Sequence, residues 1–139
     1  MNPSEFLDVA DRLKSSEHEG DRRTAISRSY FAFYNLCVAS LRERGVTFKS
    51  PIKGDVHGEL LEYFNRCERR FAGSLRDLRL ARNNADYDMA ATVQNSASEL
   101  YHKKARDAFN QFSALTSQQL ENIARCITHV VYTPRRQDS

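Results

Sequence analysis

Residues that interrupt a helix are scarce in this sequence. Five glycines and three prolines occupy positions 3, 20, 45, 51, 54, 58, 73 and 134, and the 60 residues from Ser74 to Thr133 contain neither. Apolar residues there recur at spacings of three and four rather than two, so the expectation is an all-helical chain. A long apolar run is also lacking. Nothing approaches the roughly 18 residues that a membrane span needs, and Met1-Asn-Pro-Ser-Glu5 has neither a basic flank nor an apolar stretch. A cytoplasmic protein with no membrane partner is therefore expected. Cysteine is sparse as well: Cys37, Cys67 and Cys126 form no Cys-x-x-Cys pair, and each falls among apolar residues. All three cannot pair with one another, and reduced thiols in the core are the expectation. His18, His57, His102 and His129 do not supply zinc-ligand spacing, so no metal and no cofactor is expected. What is present is a folding chain. The 139 residues are 40% apolar, with 14 aromatics and 28% charged residues, too many core-formers for a disordered segment. One domain over residues 1–132 is expected, followed by a short, polar, frayed tail over 133–139.

The periodicity places a first helix from Ser4, as cap, to about Ser16, burying Phe6, Leu7, Val9, Ala10 and Leu13. A second, central helix starts with Asp21 as N-cap and runs to about Arg44. Gly45 follows at the C′ position, where a left-handed residue is cheapest. Its apolar arc of Ile26, Tyr30, Phe33, Tyr34, Cys37, Val38 and Leu41 is wide enough for more than one neighbour. A loop from Val46 to Val56 holds Pro51 and Gly54. The third helix, His57 to Phe71, turns Leu60, Leu61, Phe64, Cys67 and Phe71 inward, and Gly73 separates it from a short fourth carrying Leu75, Leu78 and Arg82. Beyond Tyr87 the stripe resumes as Val93, Ala97, Leu100, Tyr101, Ala105, Ala108, Phe109, Phe112 and Leu115. It continues through Leu120, Ile123, Ala124, Ile127 and Val131. This stretch reads as one helix of about 40 residues or as two, divided by a Thr116/Gln119 capping box.

Charge is unevenly placed. Residues 1–21 carry six acids and two bases, residues 22–82 thirteen bases and six acids, and residues 83–139 six of each. Arg66, Arg69, Arg70, Arg76, Arg79 and Arg82 are opposed locally only by Glu68 and Asp77. Such a cluster suits a phosphate-bearing partner; it suits equally a solvated face balanced by the acidic N-terminal helix.

Chemistry concentrates in Leu75-Arg-Asp-Leu-Arg-Leu-Ala-Arg-Asn-Asn-Ala-Asp-Tyr-Asp88. Leu75, Leu78 and Arg82 share one helical stripe, which puts a guanidinium where leucine is expected. A half-buried arginine needs a paired charge, and Asp86 is one turn away. The pair either pins a helix end or forms a rigid polar site. In the second case Arg82 holds a phosphate or charge developing on it, with Asn83, Asp86 and Tyr87 alongside. No phosphate loop surrounds Ile52-Lys-Gly-Asp55, and no Gly-x-Ser-x-Gly or His-Glu-x-x-His motif occurs. Tyr30, Phe31, Phe33 and Tyr34, at helical spacing, read as core, with Phe31 toward the margin of the arc and available to a dimer face.

Arg28-Ser-Tyr-Phe-Ala-Phe-Tyr-Asn35, His57, Leu78, Arg82 and Ala85-Asp-Tyr87 together resemble the small prokaryotic HEPN-domain proteins, over roughly residues 22–90. The resemblance implies an up-and-down, HEPN-like all-α bundle, here of four to six helices, that dimerises so that the polar motifs of two protomers share a cleft. It further implies a ribonuclease or its relative, often paired as toxin with a small nucleotidyltransferase antitoxin. Active members carry arginine, four to six residues, then histidine. Here Tyr87, Asp88 and Met89 stand where the imidazole belongs. A phenol titrating near 10 is a poor base at neutral pH, whereas an imidazole is suited to it.

Two functional expectations follow. One is a HEPN-like module, part of a toxin–antitoxin or defence system, that binds RNA, a nucleotide or a nucleotidyltransferase partner in a homodimer cleft. The other is a metal-independent ribonuclease in which Arg82 works with Asp86 and Tyr87 in place of histidine, His57 assisting. Arg79, Asn83, Arg76, Arg28 and Tyr30 are the expected substrate- and phosphate-binding residues in either case.

Overall fold

The computed structural model describes residues 2–48 and 56–132, with side chains through Val130. The expectations placed on residues 49–55, on Val131 and on the tail lie outside the described residues. The chain forms six helices in the order α1 (Ser4–Leu13), α2 (Glu19–Glu43), α3 (Val56–Cys67), α4 (Arg69–Tyr87), α5 (Asn95–Ser113) and α6 (Ser117–Tyr132). The described residues contain no strand.

Local chemistry explains most of the boundaries. Gly45 adopts φ 86° directly after α2, where a side chain would be strained, as the sequence requires. Thr116 and Gln119 form the reciprocal capping box: each side chain accepts the other residue's backbone N–H, at 3.1 and 2.8 Å. The C-terminal stretch is therefore two helices. At α1 the acceptor comes from Asn2, whose side chain takes the Ser4 N–H at 3.0 Å, so Ser4 is inside the helix rather than its cap. α2 begins two residues before Asp21, and the Asp21 carboxylate accepts from the Ser16 hydroxyl at 2.6 Å.

The break between the third and fourth helices is not at Gly73, where the sequence puts it. It falls at Glu68, whose backbone leaves the helical region with φ −158° and ψ 80°, and Gly73 lies inside a 19-residue α4. Glycine costs an interior helix position only about 1 kcal/mol, which the burial of Phe71 and Ala72 beside it outweighs.

α2 is central, packing on α1, α4 and α5, while α3 lies on α4 and α6. The core between them is aromatic. Phe33, Phe64, Phe71 and Phe112 are buried, and their ring centroids stand 5.2–6.3 Å apart in tilted and edge-on pairs. A second, smaller cluster of Ile26, Ala81 and Ala85, with Val93 and Tyr101 against it, joins α2 to the C-terminal half of α4. Leu100, expected in the buried stripe, is 58% exposed.

The cysteines also depart from expectation. Cys67 at the end of α3 is disulfide-bonded to Cys126 of α6 with their Cα atoms 5.8 Å apart, while Cys37 is free and buried. The two partners are 59 residues apart and meet only when both helices dock on the core. No spacing rule announces such a pair.

Candidate functional site

α4 presents Arg79, Arg82, Asn83, Asp86 and Tyr87 over its last two to three turns, and α2 and α3 supply what surrounds them. The Arg82 guanidinium lies between two rings, 5.0 Å from the centroid of Phe31 and 5.6 Å from that of Tyr87. Its Nη1 donates to the Asn83 side chain at 3.1 Å. The expected pair with Asp86 is formed, Nε standing 2.8 Å from Oδ2. This contact is ionic rather than directional: among the described residues the buried Nε–H has no aligned acceptor. Asp86 Oδ2 also accepts from the Ser27 hydroxyl of α2 at 3.3 Å. Arg82 is thus held by one carboxylate, one amide and two π faces, with its side chain 20% exposed.

His57 enters from the first turn of α3. Its imidazole stacks on Tyr34 at 4.1 Å with 12° between the planes, stands 6.0 Å edge-on to Phe31, and shares a hydrogen bond through Nδ1 with the Tyr30 hydroxyl. Tyr30 is fully buried, and burial raises its pKa, with the Arg79 and Arg82 cations acting in the opposite direction. Burial likewise raises Tyr34. Phe31 is the divider of the site: one ring contacts both the guanidinium and the imidazole.

The structure therefore brings together Arg82, Asn83, Asp86, Tyr87, Tyr30 and His57, with Arg79 one turn earlier on α4, and leaves two expected residues apart. Arg28 lies over the Phe6 ring of α1 at 5.5 Å. Arg76 is exposed, its Nε 3.9 Å from Asp77. Asp88 accepts the Ala90 and Ala91 N–H groups and shapes the turn that follows α4.

The residue that fixes the end of α4 carries no motif in the sequence. Arg23 of α2 sends Nη1 to the carbonyls of Ala85 and Asp88 at 2.8 and 2.9 Å, and Nη2 to the Ala91 carbonyl and to Glu19. Glu19 in turn accepts the Val93 N–H at 3.0 Å; that bond, and Arg23 beside it, hold its carboxyl below the usual glutamate range. One guanidinium thus satisfies carbonyls that a helix end leaves without partners. Its only sequence signal is a basic residue four positions after an acidic one. No group of three or more His, Cys, Asp or Glu among the described residues is placed to hold a metal ion.

Comparisons with protein-family models, with curated proteins and with solved structures give no match for this chain. The resemblance set out above rests on the residues alone.

Proposed function

We propose that this chain is a HEPN-like helical protein that binds RNA or a nucleotide, its phosphate taken by Arg82 and Arg79, in a cleft completed by a second copy. The observation that carries this reading is the setting of Arg82. A half-buried cation clamped by Phe31, Tyr87, Asn83 and Asp86 has a fixed direction, which suits an anion more than a surface ion pair does. A nucleotidyltransferase partner belongs to the same reading. So does a cytoplasmic site of action, in which cellular thiols would act on the Cys67–Cys126 disulfide.

A metal-independent ribonuclease is the second reading, and one observation favours it. His57, from the first turn of α3, sits beside the same Phe31 ring that Arg82 contacts, which supports its standing in for the imidazole absent after Arg82. In that reading a 2′-hydroxyl attacks the phosphorus as Asp86 takes its proton, the bond to the 5′-oxygen breaks as a protonated His57 gives that oxygen a proton, and Arg82 would offset the charge on the phosphorus oxygens.

The test is incubation of labelled single-stranded RNA and transfer RNA with the wild type, Arg82→Ala and His57→Ala in chelator, with solution mass from light scattering. Arg82→Ala should weaken binding roughly 10- to 150-fold and flatten its salt dependence. Binding that is indifferent to Arg82 removes the proposal. Cleavage lost in both variants selects the ribonuclease; a dimer that binds without cutting selects the binding module.

A further inference from the structure

At the tip of α4 a large aromatic surface stands open. Tyr87 is 72% exposed and Met89, two residues on, 73%. Isolated exposed side chains are ordinary, but Tyr87 is placed with care. The Asp88 N–H bonds back to the Asn84 carbonyl at 3.0 Å, and Arg23 fastens the carbonyls of Ala85 and Asp88, so the ring rises from an anchored last turn. Its neighbour is the Arg82 guanidinium, 5.6 Å from the ring centroid. A cation beside an open aromatic face fits a ligand that carries an anion and a flat ring together. A nucleotide is such a ligand, since its base and its own phosphate are separated by about one sugar.

We propose that Tyr87 is a base-stacking platform: the nucleobase of a nucleotide lies on its open face while that nucleotide's phosphate is held by Arg82. The inference rests on the phosphate-binding reading above and adds the substrate class, an unpaired nucleotide. In a duplex the base faces are covered by their neighbours and do not reach the ring. The role belongs to the ring and not to the phenolic oxygen, which separates it from any part for Tyr87 as acid, base or nucleophile.

Tyr87→Ala and Tyr87→Phe, both at an exposed position, are compared with wild type and Arg82→Ala. The probes are a fluorescein-labelled single-stranded 12-nucleotide RNA, its duplex, an abasic strand of the same length, and 5′-AMP. Tyr87→Ala should weaken the single strand roughly 5- to 150-fold and the abasic strand by much less, with Tyr87→Phe, which keeps the ring, within about twofold of wild type. Arg82→Ala should weaken both strands. Tighter binding of the strand than of AMP identifies a polynucleotide as the source of the base, and equal binding a free nucleotide. If Tyr87→Ala matches wild type while Arg82→Ala does not, the platform is wrong and the phosphate site stands. Should Tyr87→Phe lose as much as Tyr87→Ala, or the duplex bind as well as the single strand, the platform is likewise wrong. A wild type that binds none of the probes overturns both readings.

Discussion

Arg23 and Arg82 are both half-buried guanidinium groups, yet they do opposite things. Arg23 spends its N–H groups on backbone carbonyls and one carboxylate, whereas Arg82 retains a buried Nε–H without an aligned acceptor among the described residues. Arg23→Ala should therefore cost stability, about 1–3 kcal/mol for carbonyls left to water or to nothing, and loosen the end of α4. A urea titration reads the loss; an unchanged midpoint would mean that water replaces the guanidinium fully. Only one of these two residues was visible in the sequence. Arg82 and Asp86 lie one turn apart on a single helix, so their pairing follows from helical geometry alone. Arg23 meets acceptors 62 to 68 residues away, and backbone carbonyls carry no sequence signature. The His57–Tyr30 contact was hidden for the same reason, since it exists only once α3 lies beside α2.

Among the elements, α3 ties the candidate site to the rest of the bundle. It carries His57 at its first turn and Cys67 at its last, so one end faces the site while the other is bonded to α6. In the chain-entropy account a crosslink spanning 59 residues is worth about 4 kcal/mol, and native bonds of this kind typically 2–4. Reductant should lower the unfolding free energy of the wild type by that amount and leave a Cys67→Ser/Cys126→Ser double variant unmoved. In denaturant without reductant, thiol titration should count one group, Cys37, and with reductant three; three at the outset would dismiss the bond. Element boundaries were legible where a turn residue is obligatory, as at Gly45, or where side chains cap each other, as at Thr116 and Gln119. The boundary at Glu68 was not. Phe64 and Phe71, seven residues apart, would share a face of an unbroken helix, so apolar spacing does not mark the break; it goes with the docking of α3 on α6 and of α4 on α2 and α5, which is tertiary.

For the whole molecule, pH couples to folding through a histidine outside the site. His102 of α5 is 4% exposed, and its Nε2 lies 3.9 Å from Asp11 of α1. Burial lowers its pKa, Lys14 and Arg106 adding to the effect while Asp11 and the Leu7 backbone oppose it. The folded chain therefore binds this proton less readily than the unfolded one. Its stabilising contribution is complete above the unfolded value near 6.5 and declines as pH falls below it, by at most about 1.4 kcal/mol per pH unit. Melting temperature should drop between pH 7.5 and 5.5 in the wild type and change less in His102→Gln. Parallel curves for the two proteins would assign the loss to other groups.

The cluster around Arg82 draws its members from α2, α3 and α4, three segments that no short stretch of chain contains. An unfolded or partly assembled chain has no such site, so a ligand gripped there binds the native state alone. Occupancy then feeds back on folding by mass action: at a hundred times its dissociation constant the ligand adds about 2.7 kcal/mol to native stability. On the proposed function, the amount of folded protein in a cell would thereby follow the supply of that ligand.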